Sequence, residues 1–321
     1  MYVEVDSSGD KIPVPNGYVG SKATGENEID TEYVIYEGEE EVNDSNVQEA
    51  QKTRNQYVWI PVPDASKMYG IDVNGKKWGK LYEFTTDTGE NIDIVTGAKP
   101  LNWIETDAIM KIKIDYENKE PDIIATYDVD LNLKNLKNME KTKHEFQIQL
   151  EKEFNSMINS VEKYGGFYIG RYETGDLSKE CFVVQKGNNN ITQETWYTMY
   201  NKCKKLKNKN TNIETGMIQG NQWDRTLMWL IESGNKTKEE IIVDSTSWGN
   251  QNNRREATGN NEYAKTNNIY DLSGNALEYT MEKRGEKRTY RGFGNVTMRS
   301  QNVFISAAND SVGCRAMLYI K

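Results

Sequence analysis

The stretch from Asn268 to Tyr279 reads N-I-Y-D-L-S-G-N-A-L-E-Y, and it decides the fold. Its centre is a Ser-Gly-Asn tripeptide of the kind that forms tight turns, because glycine and asparagine tolerate left-handed backbone angles. Two carboxylates, Asp271 and Glu278, bracket this tripeptide. The pattern therefore predicts a tight turn whose flanking carboxylate oxygens can point at one centre.

Five further motifs surround this stretch in a definite order. They are YVWIPV at 57–62, FYIGRYETG at 167–175, ETGMIQGNQWDRTLMWL at 214–230, YRGFGN at 290–295 and SVGCRAMLYIK at 311–321. Each motif is weak by itself, but six in one order are informative. Together they resemble the formylglycine-generating-enzyme-like (sulfatase-modifying factor) branch of the C-type lectin fold.

The resemblance covers 57–63 and most of 164–321, but it does not cover 64–143. It implies an α+β, C-type-lectin-like fold with short strands, long loops and two or three helices. We accordingly expect residues 1–56 to form an N-terminal extension with short strands. Residues 57–321 would form a single lectin-like domain, with 64–143 as a loop-rich insertion.

The hydrophobic spacing of the chain independently favours an α+β class. Helical periodicity predicts helices over 145–164, 192–206 and 222–231, with Gly165 and Gly234 placed to end the first and the last. Apolar runs predict strands at 33–36, 57–62 and 314–320.

Charge and composition exclude several partners. The chain has 321 residues and a net charge of −9, with 29 acidic against 16 basic residues in 1–150 and 20 against 24 in 151–321. Nucleic acid needs a broad basic footprint, so we expect no nucleic-acid partner. No apolar run approaches the roughly 18–20 residues of a membrane span, so we expect no membrane insertion.

Histidine and cysteine usage argues against most catalytic and metal chemistry. His144 is the single histidine, and it lies in a charged segment at the start of a predicted helix. The three cysteines, Cys181, Cys203 and Cys314, lack the close pairing of a zinc site. They are best interpreted as buried free thiols, although a Cys181–Cys314 disulfide is conceivable. Nucleophile-elbow and phosphate-loop motifs are absent from the sequence.

The activity of the resembled enzymes is not expected here. Their copper-binding cysteines would fall near Arg291 and Val296, and neither residue supplies a thiolate. The iron-dependent relatives use several histidines, which His144 alone cannot provide. We therefore expect no copper, iron or zinc site and a protein that is not an enzyme.

The resemblance also implies a structural Ca²⁺ site at the Ser-Gly-Asn turn. The matching positions are Asp271, Gly274, Ala276 and Glu278, which would offer two carboxylates and two backbone carbonyls. Hard oxygen ligands of this kind suit calcium. The alternative is a metal-free turn in which Asn275 bonds to the backbone.

A basic and aromatic stretch near the C-terminus supplies the candidate ligand face. Its residues are Arg288, Tyr290, Arg291, Phe293, Asn295 and Arg299. Arginine and aromatic side chains are favoured at binding hot spots, and guanidinium groups grip carboxylate or sulfate. The alternative is a solvated loop paired with the acidic N-terminal half.

These observations predict a non-catalytic binding module of the adhesin or receptor-binding type. It would recognise a protein or glycan ligand on a cell surface through its C-terminal loops, as do the hypervariable receptor-binding proteins of this fold that retroelements diversify. We expect an extracellular, cell-surface or virion location. The alternatives are a formylglycine-generating-type metal oxidase with an altered site, and a structural subunit of a pilus or phage tail.

Overall fold

The computed structural model describes residues 1–6, 9–28, 32–71, 75, 77–80, 82–84, 92–94, 139–178, 181–251, 254–284, 287–292, 294–303 and 311–321. It confirms the α+β class: the described chain contains helices together with sheets whose strands pair mostly antiparallel. Most of the predicted insertion at 64–143 lies outside the described residues.

The helices are α1 (Val47–Thr53), α2 (Met139–Tyr164), α3 (Trp196–Lys205), α4 (Gly220–Glu232) and α5 (Lys238–Ile242). The strands are β1 (Tyr2–Val5), β2 (Lys11–Val14), β3 (Tyr18–Gly20), β4 (Val34–Glu37), β5 (Gln56–Pro61), β6 (Tyr69–Ile71), β7 (Lys77–Gly79), β8 (Tyr82–Phe84), β9 (Ile92–Ile94), β10 (Gly166–Gly170), β11 (Gly175–Ser178), β12 (Cys181–Val183), β13 (Ile213–Met217), β14 (Lys265–Thr266), β15 (Ile269–Tyr270), β16 (Leu277–Arg284), β17 (Lys287–Arg291), β18 (Ser300–Val303), β19 (Val312–Cys314) and β20 (Ala316–Ile320).

The core is a six-stranded sheet in the order β13-β20-β10-β5-β4-β3. Its centre is β10, which is buried at every position and pairs antiparallel with both β5 and β20. Continuous apolar runs such as YVWI therefore become central strands covered on both faces. Strands β3 and β4 extend this sheet, so part of the N-terminal 56 residues packs with the rest of the fold.

The three predicted helices are confirmed as α2, α3 and α4. Helix α2 begins at Met139, earlier than expected, and ends before Gly165, whose φ of +77° suits a residue without a side chain. Its buried residues Phe154, Met157 and Val161 recur at helical spacing. None of the described helices combines the length and hydropathy that a bilayer crossing requires.

The predicted final strand is two strands in two sheets. Strand β19 pairs parallel with β16 in a four-stranded sheet of order β18-β17-β16-β19, whereas β20 joins the six-stranded sheet. Arg315 lies between them. The sequence pattern does not reveal this change of sheet, because β19 and β20 are both buried at every position.

Candidate functional site

The segment 268–279, called the motif turn below, folds as the sequence predicts, with several left-handed residues. Asp271, Gly274 and Asn275 have φ values of 56°, 90° and 59°. At Gly274 a Cβ atom would lie 2.1 Å from the carbonyl oxygen of Asn250, so only glycine fits. The turn is thereby held against a neighbouring loop.

Asp271 anchors the motif turn to the loop before it. Its side chain is buried and accepts hydrogen bonds from the Thr258 hydroxyl (3.1 Å), the Gly259 backbone N–H (3.0 Å) and the Asn250 amide (3.2 Å). Burial raises the pKa of Asp271, and these hydrogen bonds oppose the rise. The carboxylate therefore links the motif turn to the preceding loop by hydrogen bonds.

Glu278 is bound by Arg315, the residue at which the chain changes sheets. Both side chains are fully buried, and the guanidinium Nε donates to the two carboxylate oxygens at 3.1 and 2.9 Å. The remaining guanidinium nitrogens donate to the carbonyls of Gly170 and Tyr270. Arg315 thus joins the core sheet to the motif turn with its donors satisfied internally.

Glu173 is a third buried carboxylate at the motif turn, and the sequence prediction missed it. It accepts hydrogen bonds from the Ala276 backbone N–H (3.0 Å) and from the side-chain amides of Asn190 and Asn275. Burial, followed by the charges of Asp271 and Glu278, raises the pKa of Glu173 well above its usual range. Its position inside the FYIGRYETG motif was the available signal.

Both carboxylates predicted to bind Ca²⁺, Asp271 and Glu278, are engaged by protein donors in this structure. Arg315 binds both Glu278 oxygens, so a positive charge already occupies the place facing that carboxylate. Asp271 points at Asn250, Thr258 and Gly259 instead. Within the described part of the chain, no group of three or more His, Cys, Asp or Glu residues is placed to hold a metal ion. Calcium therefore stays a prediction of the resemblance.

Two of the six residues predicted to form a ligand face are buried, which corrects the expectation that they are exposed. The Arg288 guanidinium lies 3.9 Å above the ring of Trp196 and donates to the Met281 carbonyl. Burial lowers the pKa of Arg288 to about 9. Arg291 is fully buried and ion-paired with Asp224. Strand β17 turns both arginines inward, where a surface ligand cannot touch them.

The other predicted face residues divide between the surface and internal contacts. Arg299 keeps a fifth of its side chain exposed and pairs with Asp224 and Glu282. Asn295 is half-buried and donates to the Ile242 carbonyl, while Tyr290 is half-buried in β17. Phe293 lies outside the described residues. The structure therefore brings Arg291 and Arg299 together around Asp224, as an internal ionic cluster.

The positions relevant to oxidase chemistry are also structural. Arg291 is held by Asp224, and Val296 is buried and accepts a hydrogen bond from the Trp223 indole through its carbonyl. Neither residue is a cysteine. In the described structure they contribute to packing between α4 and the C-terminal loops.

An open cleft lies beside the motif turn, and the sequence analysis did not predict it. Its volume is about 440 Å³. It is lined by residues 23–26 and Glu32, by residues of α1, by Lys186 and by residues between 262 and 270, with Arg171 at its floor. Asn268 connects it to the motif turn, because its amide donates to the carbonyls of Gly25 and Glu32.

The floor of the cleft is a buried ion pair within a hydrogen-bond network. Arg171 donates to Glu26 at 2.6 Å, to the Tyr36 hydroxyl at 3.0 Å and to Asn268 at 3.1 Å. Glu26 also accepts from Gln51 at the cleft wall. Burial raises the pKa of Glu26, but the Arg171 charge and the hydrogen bonds outweigh it and lower the pKa overall.

The floor of the cleft contains a buried donor, and the rim is mixed in charge. The buried Nε of Arg171 has no hydrogen-bond partner among the described residues. The lining residues include the basic Lys52, Lys186 and Lys265 and the acidic Glu32 and Glu262. Such a site offers donors and acceptors on several sides without a strong net charge.

Compared with family models, the chain matches none. Comparisons with curated proteins and with solved structures likewise found no match.

Proposed function

We propose that the protein is a non-catalytic binding module that holds a polar, hydroxyl-rich ligand, a segment of glycan, in the cleft. The observation that carries the proposal is the open volume of about 440 Å³ above the buried Arg171–Glu26 pair. Ligand sites commonly have volumes of about 300–1,000 Å³ and a few well-placed polar groups. The floor is prearranged, so a ligand need not order it.

The side chains around the cleft suit sugar hydroxyls. Each hydroxyl both donates and accepts, so it pairs with amides such as Gln48 and Gln51 and with carboxylates such as Glu32. Lys52, on the same helix as these amides, and Lys265, from the segment 262–270, add donors. The mixture of opposite charges favours neutral groups over a strongly anionic polymer, which would meet the acidic residues.

The non-catalytic part of the proposal rests on how the carboxylates are used. Asp271, Glu278 and Glu173 all accept hydrogen bonds from protein donors inside the fold. A general acid or base must reach the substrate proton within hydrogen-bond distance. These three groups are buried around the motif turn, where they stabilise loops.

We propose further that the fold is the lectin-like branch named above and that the protein is displayed on a cell surface or virion. The ordered motifs support the fold proposal: apolar residues of the motif turn and of the helix that begins within QGNQW belong to one core cluster, and the buried Arg315 binds Glu278 of the motif turn. A polar cleft in an acidic protein is compatible with an external ligand. The C-terminal loops predicted from the sequence remain a second candidate face through exposed Met298 and partly exposed Arg299.

A glycan-binding screen tests the proposal. Wild-type protein is applied to an array of oligosaccharides, and hits are titrated by calorimetry. We expect Gln48→Ala, Lys52→Ala and Lys265→Ala to weaken binding together by roughly 10-fold or more, because each removes about one hydrogen bond of 0.5–1.5 kcal/mol. Melting temperatures should be unchanged, since these side chains lie at the surface.

Two controls separate the possible outcomes. Lys205→Ala changes an exposed lysine on α3, away from the cleft lining, and should leave affinity unchanged. Met298→Ala changes the exposed C-terminal loop. Loss of binding in Met298→Ala with full binding in the cleft variants would place the ligand on the loops. Absence of any oligosaccharide hit, with a protein ligand captured instead, would overturn the glycan proposal.

A further inference from the structure

Two cysteines far apart in sequence meet inside the core. The Sγ atoms of Cys203, in α3, and Cys314, at the end of β19, lie 3.7 Å apart and are 111 residues apart along the chain. Both side chains are buried, with 0 and 1% exposure. The thiols are free in this structure. Their contact joins a helix to the point at which the chain changes sheets.

The separation of the two sulfur atoms is close to that of a cross-link. A disulfide requires an S–S distance of about 2.05 Å, so the atoms must approach by about 1.7 Å. Small rotations about the Cα–Cβ bonds and a slight shift of α3 supply movements of this size. Burial places the pair out of reach of bulky oxidants once the chain has folded, so the bond would form while the chain folds.

We propose that Cys203 and Cys314 form a structural disulfide when the protein folds in an oxidising compartment. The two thiols give up two protons and two electrons, and a sulfur–sulfur bond forms between them. An external disulfide, such as oxidised glutathione or a dithiol–disulfide oxidoreductase, accepts the electrons and protons and is cleaved to two thiols. The reaction proceeds by thiolate attack and a mixed disulfide.

The disulfide would hold α3 and the end of β19 together beside the motif turn. Cys314 immediately precedes Arg315, so the bond fixes the residue that holds Glu278. It also closes a loop containing α4, α5 and the whole motif turn. A closed loop of this length removes substantial entropy from the unfolded chain. The inference rests on the proposed external location, where disulfides form and persist.

Mass spectrometry tests the proposal directly. The full chain is refolded with a glutathione redox pair, denatured, and treated with N-ethylmaleimide. We expect one alkylated cysteine, Cys181, and a linked peptide pair carrying Cys203 and Cys314 that separates on reduction. Three alkylated cysteines, or a linkage through Cys181, would overturn the proposal whatever the protein binds.

Melting measurements provide a second readout. We expect reduction to lower the melting temperature of the oxidised protein by roughly 5–10 °C. Cys181→Ala should keep this redox-dependent shift, whereas Cys203→Ala and Cys314→Ala should lose it. A shift that persists in Cys203→Ala, or is lost in Cys181→Ala, would contradict the pairing. If Cys203→Ala or Cys314→Ala does not fold, the linked peptides of the wild-type chain still show whether the disulfide forms. Glycan binding by the reduced chain is measured separately. Failure of the disulfide proposal can therefore be told apart from failure of the glycan proposal.

Discussion

The motif turn and the cleft floor both rely on a buried ion pair, but only the pair at the cleft floor lines the open cleft. Each contains a buried arginine–glutamate pair, Arg315 with Glu278 and Arg171 with Glu26. Arg315 has backbone and carboxylate acceptors around it, and it is not among the residues that line the cleft. Arg171 lines an open cleft and keeps one buried N–H without a partner.

This difference shows why buried charges near a motif do not by themselves mark a ligand site. A buried pair costs desolvation, which its mutual attraction and hydrogen bonds must offset. When every donor is satisfied inside the fold, the pair positions loops. When part of the pair faces an open polar volume, the same residues become a prearranged surface for a ligand.

Breaking the closed pair should have the largest effect. Glu278→Ala leaves Arg315 buried without its carboxylate, and we expect a loss of about 3–5 kcal/mol in the free energy of unfolding. Urea denaturation followed by tryptophan fluorescence measures this. Glu39→Ala removes an exposed glutamate and should change stability by less than about 0.5 kcal/mol. Equal, small effects in both variants would contradict the structural role of Glu278.

Arg291→Ala should be the next most destabilising change. Asp224 would stay fully buried and would lose one of its two guanidinium ion pairs described above, so we expect a loss of about 2–4 kcal/mol in the free energy of unfolding. Arg254→Ala, at an exposed arginine, is the matched control. A stable Arg291→Ala protein that loses only ligand binding would restore the interpretation of Arg291 as a contact residue.

The charge of Glu173 should make stability depend on pH. Its pKa in the folded state is raised above the ordinary 4.5, so the folded protein binds the proton more tightly than the unfolded chain does. The contribution of this group to stability is therefore lost as pH rises from about 4.5 through the folded-state pKa. Glu173→Gln removes this titration.

Urea denaturation between pH 4.5 and 8 checks this prediction. Relative to wild type, the Glu173→Gln variant should gain free energy of unfolding steadily as pH rises. Groups common to both proteins cancel in the difference. A difference that stays constant with pH, or falls with rising pH, would contradict a raised folded-state pKa.

Chelation should have the smallest effect. Because Arg315 supplies the positive charge at Glu278, we expect EDTA to shift the melting temperature of calcium-treated protein by less than about 1 °C. Differential scanning calorimetry with added Ca²⁺ and with EDTA measures the shift. A calcium-dependent rise that disappears in Glu278→Ala would establish the ion that the resemblance implies.

The elements that could be predicted from sequence are those with strong local patterns. The apolar spacing of Phe154 and Val161 specifies a helix, and the run around Trp59 specifies a central strand, because local periodicity follows burial. The Ser-Gly-Asn turn was predictable for the same reason, since Gly274 and Asn275 carry the backbone angles that the turn needs.

Contacts between distant segments could not be predicted. Arg291 looks like a surface hot spot until α4 brings Asp224 beside it, 67 residues earlier in the chain. The cleft depends on Glu26 meeting Arg171 across 145 residues. No local sequence pattern predicts either contact, because a charged residue at the surface and one in a buried ion pair look the same in the sequence.

Hydrogen–deuterium exchange with and without a bound oligosaccharide from the screen tests the central claim most directly. The account predicts that the ligand slows exchange in peptides covering 23–28, 47–53 and 262–270, the walls of the cleft. Peptides covering 294–299 should exchange at the same rate in both samples. Protection confined to 294–299, with none at the cleft walls, would contradict the claim that the open cleft is the binding site.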